Sequence, residues 1–83
     1  MSISALAGPA ILTEAEVIRI AEAAAKKEGR DLHDYERKTP HYEPEHIKDI
    51  WFILYEGKHG YAGDHFGVII EDKTQKTHVL GGS

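Results

Sequence analysis

The sequence contains no cysteine, so disulfide bonds and thiolate metal ligands are excluded. No stretch approaches the roughly 20 apolar residues that span a bilayer. The ten Lys and Arg residues are spread along the chain, the formal net charge is −4, and no basic stripe emerges. We therefore expect neither nucleic acid nor a membrane as a partner. We expect a cytoplasmic protein, or a periplasmic one if a native signal peptide has been removed.

The length of 83 residues fits one domain with a modest core. Residues 1–12 are mildly apolar but have no basic start and no real apolar core of a signal peptide. We expect residues 1–12 to be a poorly ordered lead-in and residues 13–83 to form a single α+β domain.

One helix is predicted after this lead-in. Thr13 and Glu16 have the spacing of a capping box, in which each side chain bonds the other residue's amide. Gly29 is typical of a helix end. An alanine-rich apolar stripe follows the cap at helical spacing, which lets a helix lie close to a sheet. The stripe consists of Val17, Ile18, Ile20, Ala21, Ala24 and Ala25.

The run from Ile50 to Tyr55 is apolar without interruption, in a chain that is otherwise polar. Side chains of a strand alternate between two faces, so this strand is apolar on both. Three strands are predicted, at residues 49–56, 64–71 and 76–80. A glycine-containing loop at 57–63 and a turn at 72–75 connect them. Residues 31–39 form a weaker candidate strand, and the prolines in 40–48 predict an irregular or edge connection.

These elements predict an α+β fold, with one N-terminal helix packed on a three- to four-stranded antiparallel sheet. A single helix covers one face of a sheet. The opposite face would then present Ile50, Phe52 and Leu54 without a cover, and large exposed apolar patches mark interaction sites.

Catalytic and metal-binding patterns are weak. The six histidines are spaced at 8, 5, 13, 6 and 13 residues, which matches no familiar ligand pattern. Asp64 and His65 are adjacent in a strand and point to opposite faces, which places them badly for a catalytic pair. No cysteine nucleophile exists, and the serines lie at the chain ends. We expect a binding protein with no catalytic residues, no cofactor and no metal.

The pattern Trp51-x-Ile53-x-Tyr55, then Gly63-Asp64-His65-Phe66-x-Val68-x-Ile70, carries a resemblance. With an acidic turn and a closing glycine, it resembles small bacterial immunity proteins with a nuclear-transport-factor-like, or cystatin-like, fold. The chain is shorter than the full cone-shaped fold, so the resemblance implies a truncated cone. It also implies a partner, a cognate protein toxin that the chain binds and neutralises. The helix-then-strands order is similar to PepSY-type modules too, which would imply a role in peptidase control.

Two classes of function remain open from the sequence. The first is an immunity or inhibitor protein, with a toxin or a second copy of the chain on the outer sheet face. The second is a small-ligand binder or enzyme with a pocket between helix and sheet that contains His65 or Tyr55. For the first class, the expected interface residues are Ile50, Phe52, Leu54, Tyr61, His65 and Ile69.

Overall fold

The structure is a computed structural model that describes residues 10–44, 49–58 and 65–82. It has one helix, α1 (Glu14–Lys27), and a one-turn 3-10 helix at Leu32–Asp34. Five strands follow in one antiparallel sheet: β1 (Tyr35–Arg37), β2 (His41–Glu43), β3 (Ile50–Gly57), β4 (His65–Glu71) and β5 (Thr77–Gly82). The predicted α+β class, with one helix on an antiparallel sheet, is confirmed.

Helix α1 has the predicted start and end. The Thr13 hydroxyl accepts from the Glu16 amide at 3.1 Å, and the Glu16 carboxylate accepts from the Thr13 amide at 2.8 Å. At the other end Gly29 has a φ of 84°, a left-handed conformation that glycine adopts without strain. The Arg30 amide donates to the Ala25 carbonyl and the Gly29 amide to the Lys26 carbonyl, which is the Schellman arrangement.

The sheet is four strands wide, because β1 and β2 lie end to end along the same edge of β3. Arg37 pairs with Tyr55 and His41 pairs with Phe52, so residues 38–40 oppose only residues 53–54. The β1–β2 side thus has one residue more than β3, which is a β-bulge. The bulge includes Pro40, which has no amide to donate to the ladder. The strand expected at 31–39 is shorter than predicted, because only Tyr35–Arg37 is a strand. Its first part is the 3-10 helix, because Asp31 caps that turn through the His33 amide.

The core lies between α1 and one face of the sheet, which we call the inner face. It contains the alanine-rich side of the helix, with Val17, Ala21 and Ala25 fully buried. It also contains Leu12, just before α1, and the inner-face residues of β3 and β4: Trp51, Ile53, Tyr55, Phe66, Val68 and Ile70. Trp51, Ile53 and Tyr55 alternate along β3 with the residues expected on the open face, and all three are buried on the side of α1.

Candidate protein-docking surface

The second face of the sheet, the outer face, carries a continuous apolar area. The register places Phe52 opposite Ile69, and Leu54 opposite Gly67, which is itself opposite Leu80. We define the outer apolar patch by five residues: Ile50, Phe52, Leu54, Ile69 and Leu80. Four of them are partly exposed and Leu80 is 51% exposed. Within the described residues, α1 packs on the opposite face and nothing packs on this patch.

Phe52 and Gly67 make the closest contact in the patch. A Cβ atom at residue 67 would lie 2.7 Å from the Phe52 Cε1 atom and 2.9 Å from its Cζ atom, so the outer end of the phenyl ring occupies the space beside Gly67. A larger residue at position 67 would displace the end of this ring. The ring shields the β4 backbone and leaves the middle of the patch shallow, which suits a broad surface contact more than a deep ligand cavity.

Charged and titratable groups surround the patch at both ends of the strands. At one end the Lys38 ammonium lies 3.5 Å from the Glu56 carboxylate and 3.8 Å from that of Glu36. At the other end the Glu71 carboxylate accepts from the Thr74 hydroxyl at 2.8 Å and lies 3.3 Å from the His78 ring. An apolar centre with a polar rim is the usual anatomy of a protein interface.

The inner face opposite the patch is filled by a stack of rings and a guanidinium. The Tyr55 and Phe66 rings are parallel with centroids 4.7 Å apart, and the Tyr35 ring meets Phe66 edge-on at 4.9 Å. The Arg30 guanidinium lies 4.5 Å from the Phe66 centroid, a cation–π distance. The Schellman end of α1 sets this position, because it turns the chain so that Arg30 lies over the sheet.

Tyr55 is the residue of this stack that the pocket hypothesis needs. Its pKa is raised, first by burial and then by the Glu22 carboxylate, while Arg37 acts in the opposite direction. Its hydroxyl is buried with no hydrogen-bond partner among the described residues. His65, by contrast, is exposed and pairs with Glu56 on the outer face. The two residues therefore lie on opposite sides of the sheet, and of the two only Tyr55 lies on the side that faces the helix.

Asp72 is a residue whose role the sequence did not reveal. It was predicted only as a turn residue, but it is 2% exposed and accepts three hydrogen bonds. The donors are the Ile11 amide at 2.7 Å, the Leu12 amide at 3.0 Å and the Trp51 indole at 3.0 Å. Burial acts to raise its pKa, but these hydrogen bonds and the nearby Lys73 outweigh burial, and the net pKa is lowered.

The structure brings five of the six predicted interface residues onto the outer face. Ile50, Phe52, Leu54 and Ile69 lie in the patch, and His65 lies beyond its edge, next to Glu56. Tyr61 and most of the predicted loop at 57–63 lie outside the described residues. Leu80 was the last residue of the predicted strand at 76–80, but it was not assigned to the interface. The structure continues the strand to Gly82, and thereby places Leu80 within the sheet.

Residues 10–44, 49–58 and 65–82 contain neither a metal site nor a membrane-spanning helix. In these ranges no three His, Asp or Glu side chains come together as a metal site. The single helix of this part of the chain is too short and too polar to cross a membrane.

No protein family, curated protein or solved structure matches this chain. The class that the geometry defines is therefore the α+β fold described above. Its candidate site is the outer apolar patch with its polar rim.

Proposed function

We propose that this chain is an immunity protein that binds and neutralises a cognate bacterial protein toxin through the outer apolar patch. The observation that carries the proposal is the position of the patch. A run of apolar side chains alternates between a face that α1 buries and a face that nothing described covers. The sequence resemblance to small immunity proteins supplies the class of partner.

The rim supplies a second argument, because it gives the partner a preferred charge. Three partly or fully exposed glutamates lie on the outer face at the ends of the patch: Glu36, Glu43 and Glu56. Glu71 lies on the same face but is only 8% exposed. Lys38 offsets part of this charge at one end. A partner with apolar side chains in the centre of its contact surface and cationic ones at the rim would be complementary. The chain's net charge of −4 has the same sign.

Neutralisation by such a protein needs no chemistry from this chain. A docked partner would bury the patch, and the free energy would come from apolar area removed from water. Inhibition would follow if the docked chain blocked the toxin's own site or locked its conformation. This is consistent with a buried, side-chain-filled inner face, where Ile53, Val68 and Phe66 are each 0% exposed.

The test is growth rescue in a bacterium that expresses the protein encoded beside this chain's gene. We expect that protein to be toxic alone and harmless when this chain is co-expressed. Phe52→Asp should abolish rescue, because it places a charge in the centre of the patch. Ala23→Asp is the matched control, since it adds the same charge on the exposed side of α1 and should keep full rescue.

The two variants must first be shown to fold, by circular dichroism and thermal unfolding. If Phe52→Asp unfolds, Leu80→Asp replaces it, because Leu80 is the most exposed residue of the patch. Rescue by both patch variants would show that the toxin binds elsewhere. No toxicity in the neighbouring protein, or no rescue by the unaltered chain, would overturn the immunity proposal. If the unaltered chain is dimeric and Phe52→Asp makes it monomeric, a second copy occupies the patch.

A further inference from the structure

The two edges of the sheet differ in how well they are protected against pairing with another strand. The β1–β2 edge is interrupted by the bulge at Pro40 and carries Glu36 and Lys38. Bulges, prolines and charges are the usual means by which sheets avoid edge-to-edge pairing. The β5 edge has none of them, since Thr77–Gly82 contains no proline and no Asp, Glu, Lys or Arg. Within the described residues, β5 pairs with β4 only.

The hydrogen bonds of the β4–β5 turn identify which backbone groups of β5 face outward. The Glu71 amide donates to the Lys76 carbonyl, which makes these two residues a hydrogen-bonded pair in the β4–β5 register. Such pairs alternate along an antiparallel ladder. His78, Leu80 and Gly82 therefore bond to β4. Thr77, Val79 and Gly81 direct both their amides and their carbonyls away from the sheet.

We propose that β5 pairs antiparallel with β5 of a second copy of this chain, across a two-fold axis at Val79. In this register Val79 faces the partner's Val79, and Thr77 faces the partner's Gly81. All three outward-facing residues of each strand then exchange both hydrogen bonds, which gives six bonds across the edge. Registers shifted by two residues use only two of the three positions. The strand is thus self-complementary, and no like charges of the two strands oppose each other.

The position of Arg30 adds a side-chain contact to this register. A Cβ atom at Gly81 would lie 2.8 Å from the Arg30 Nη2 atom, so the guanidinium occupies the space above that glycine. Opposed side chains in such pairs are about 5 Å apart. Residue 77 of one copy is therefore next to Arg30 of the other. The dimer joins two sheets side by side and leaves the outer apolar patch of each copy open, so it is independent of the docking proposal.

The test is sedimentation velocity over a concentration series. We expect the unaltered chain to reach twice the 9.3 kDa mass of one chain. Thr77→Pro removes an outward amide, and the first residue of a strand tolerates proline, so this variant should be monomeric with an unchanged circular dichroism spectrum. His78→Pro is the control that checks the assignment of bond directions. It removes an amide that faces β4, and it should lower the unfolding temperature.

A charge pair at residue 77 tests the register itself. Thr77→Lys should weaken the dimer about tenfold by facing Arg30, and Thr77→Glu should tighten it by a similar factor. A general charge effect predicts the opposite order, because Glu increases the net negative charge of each copy. A monomer at every concentration would overturn the proposal. So would a dimer that Thr77→Pro leaves intact, and a dimer that only Phe52→Asp dissociates would place the second copy on the outer face.

Discussion

At the residue scale, Asp72 joins three parts of the chain that are far apart in sequence. Its carboxylate holds the Ile11 and Leu12 amides, just before α1, and the Trp51 indole in β3. The Asp72 amide also donates to the Asp49 carbonyl and extends the β3–β4 ladder by one step. A buried carboxylate is stable when hydrogen bonds satisfy its oxygens, and removing it leaves several buried donors without an acceptor.

We predict that Asp72→Asn lowers the free energy of unfolding by about 2 kcal/mol. The remaining oxygen can accept from Leu12 and Trp51, but the new amide group would face the Ile11 amide, donor against donor. Urea unfolding at neutral pH, followed by the fluorescence of the single tryptophan, measures the difference. Lys76→Ala, on an exposed side chain after the same turn, is the control and should change stability by less than about 0.5 kcal/mol. Equal stability of Asp72→Asn and the unaltered chain would contradict the role of Asp72.

The lowered pKa of Asp72 predicts the pH dependence of this effect. Because its folded-state pKa lies below the ordinary value of 3.8, the carboxylate stabilises the fold above that pH. The stabilisation is lost as the pH falls from 3.8 through the lower folded-state pKa. Asparagine does not titrate, so the stability difference between the unaltered chain and Asp72→Asn should shrink below pH 3.8. A difference that stays constant from neutral to acidic pH would show that Asp72 acts through its shape alone.

At the scale of elements, Phe52 in β3 and Gly67 in β4 form a matched pair. The ring occupies the space that a side chain on Gly67 would need. Glycine normally weakens a strand, and an aromatic side chain laid across it restores cover to the backbone. This pair explains why the middle of an otherwise apolar strand contains a glycine. The ring covers Gly67, while Phe52 itself stays partly exposed and accessible to a partner.

A double-mutant cycle tests this pair. Gly67→Ala should destabilise the unaltered chain by displacing the ring. In a Phe52→Ala background it should be neutral or stabilising, because alanine is favoured over glycine in a strand. We expect a coupling free energy of about 1 kcal/mol. A second cycle with Ile50→Ala in place of Phe52→Ala is the control and should be additive. Additivity in both cycles would mean that the ring does not lie on Gly67.

The sequence predicted those elements whose cause is local. The capping box needs only Thr13 and Glu16, and the two faces of β3 follow from strict alternation. The contacts of Asp72 could not be predicted, because 60 residues separate it from Leu12. The turn position of this aspartate gave no sign that its carboxylate is buried. Residues 40–48 were predicted to form an irregular or edge connection because Pro40 and Pro44 interrupt the chain. Only the register shows that pairing resumes at His41 after the bulge and forms the edge strand β2.

At the candidate site, the position of Leu80 also depends on contacts between residues that are distant in sequence. A closing pair of glycines indicates a strand end, yet Gly81 and Gly82 pair with Phe66 and His65. A side chain at position 81 would collide with the Arg30 guanidinium, which lies over Gly81 from the end of α1. This constraint comes from a residue 51 positions earlier and has no local signal. The outer patch was therefore predicted without its most exposed member.

At the scale of the whole molecule, the sheet has two apolar faces, and the one helix of the described residues covers only one of them. The inner face is closed by α1, the ring stack and Arg30, and it forms the core. The outer face keeps an apolar centre between two acidic ends. We assign this outer face to a partner and the β5 edge to a second copy. The two surfaces share Leu80, which lies in both the patch and β5. Substitutions at Phe52 and at Thr77 each remove one surface without the other.

Methyl NMR during titration with the protein encoded beside this chain's gene shows whether the outer face is the docking surface. Isoleucine, leucine and valine methyl groups report on both faces of the sheet. We predict that binding shifts the signals of Ile50, Leu54, Ile69 and Leu80, and leaves those of Ile53 and Val68 nearly unchanged. Shifts confined to residues of α1, or to residues outside the patch, would contradict the assignment of the outer face as the docking surface.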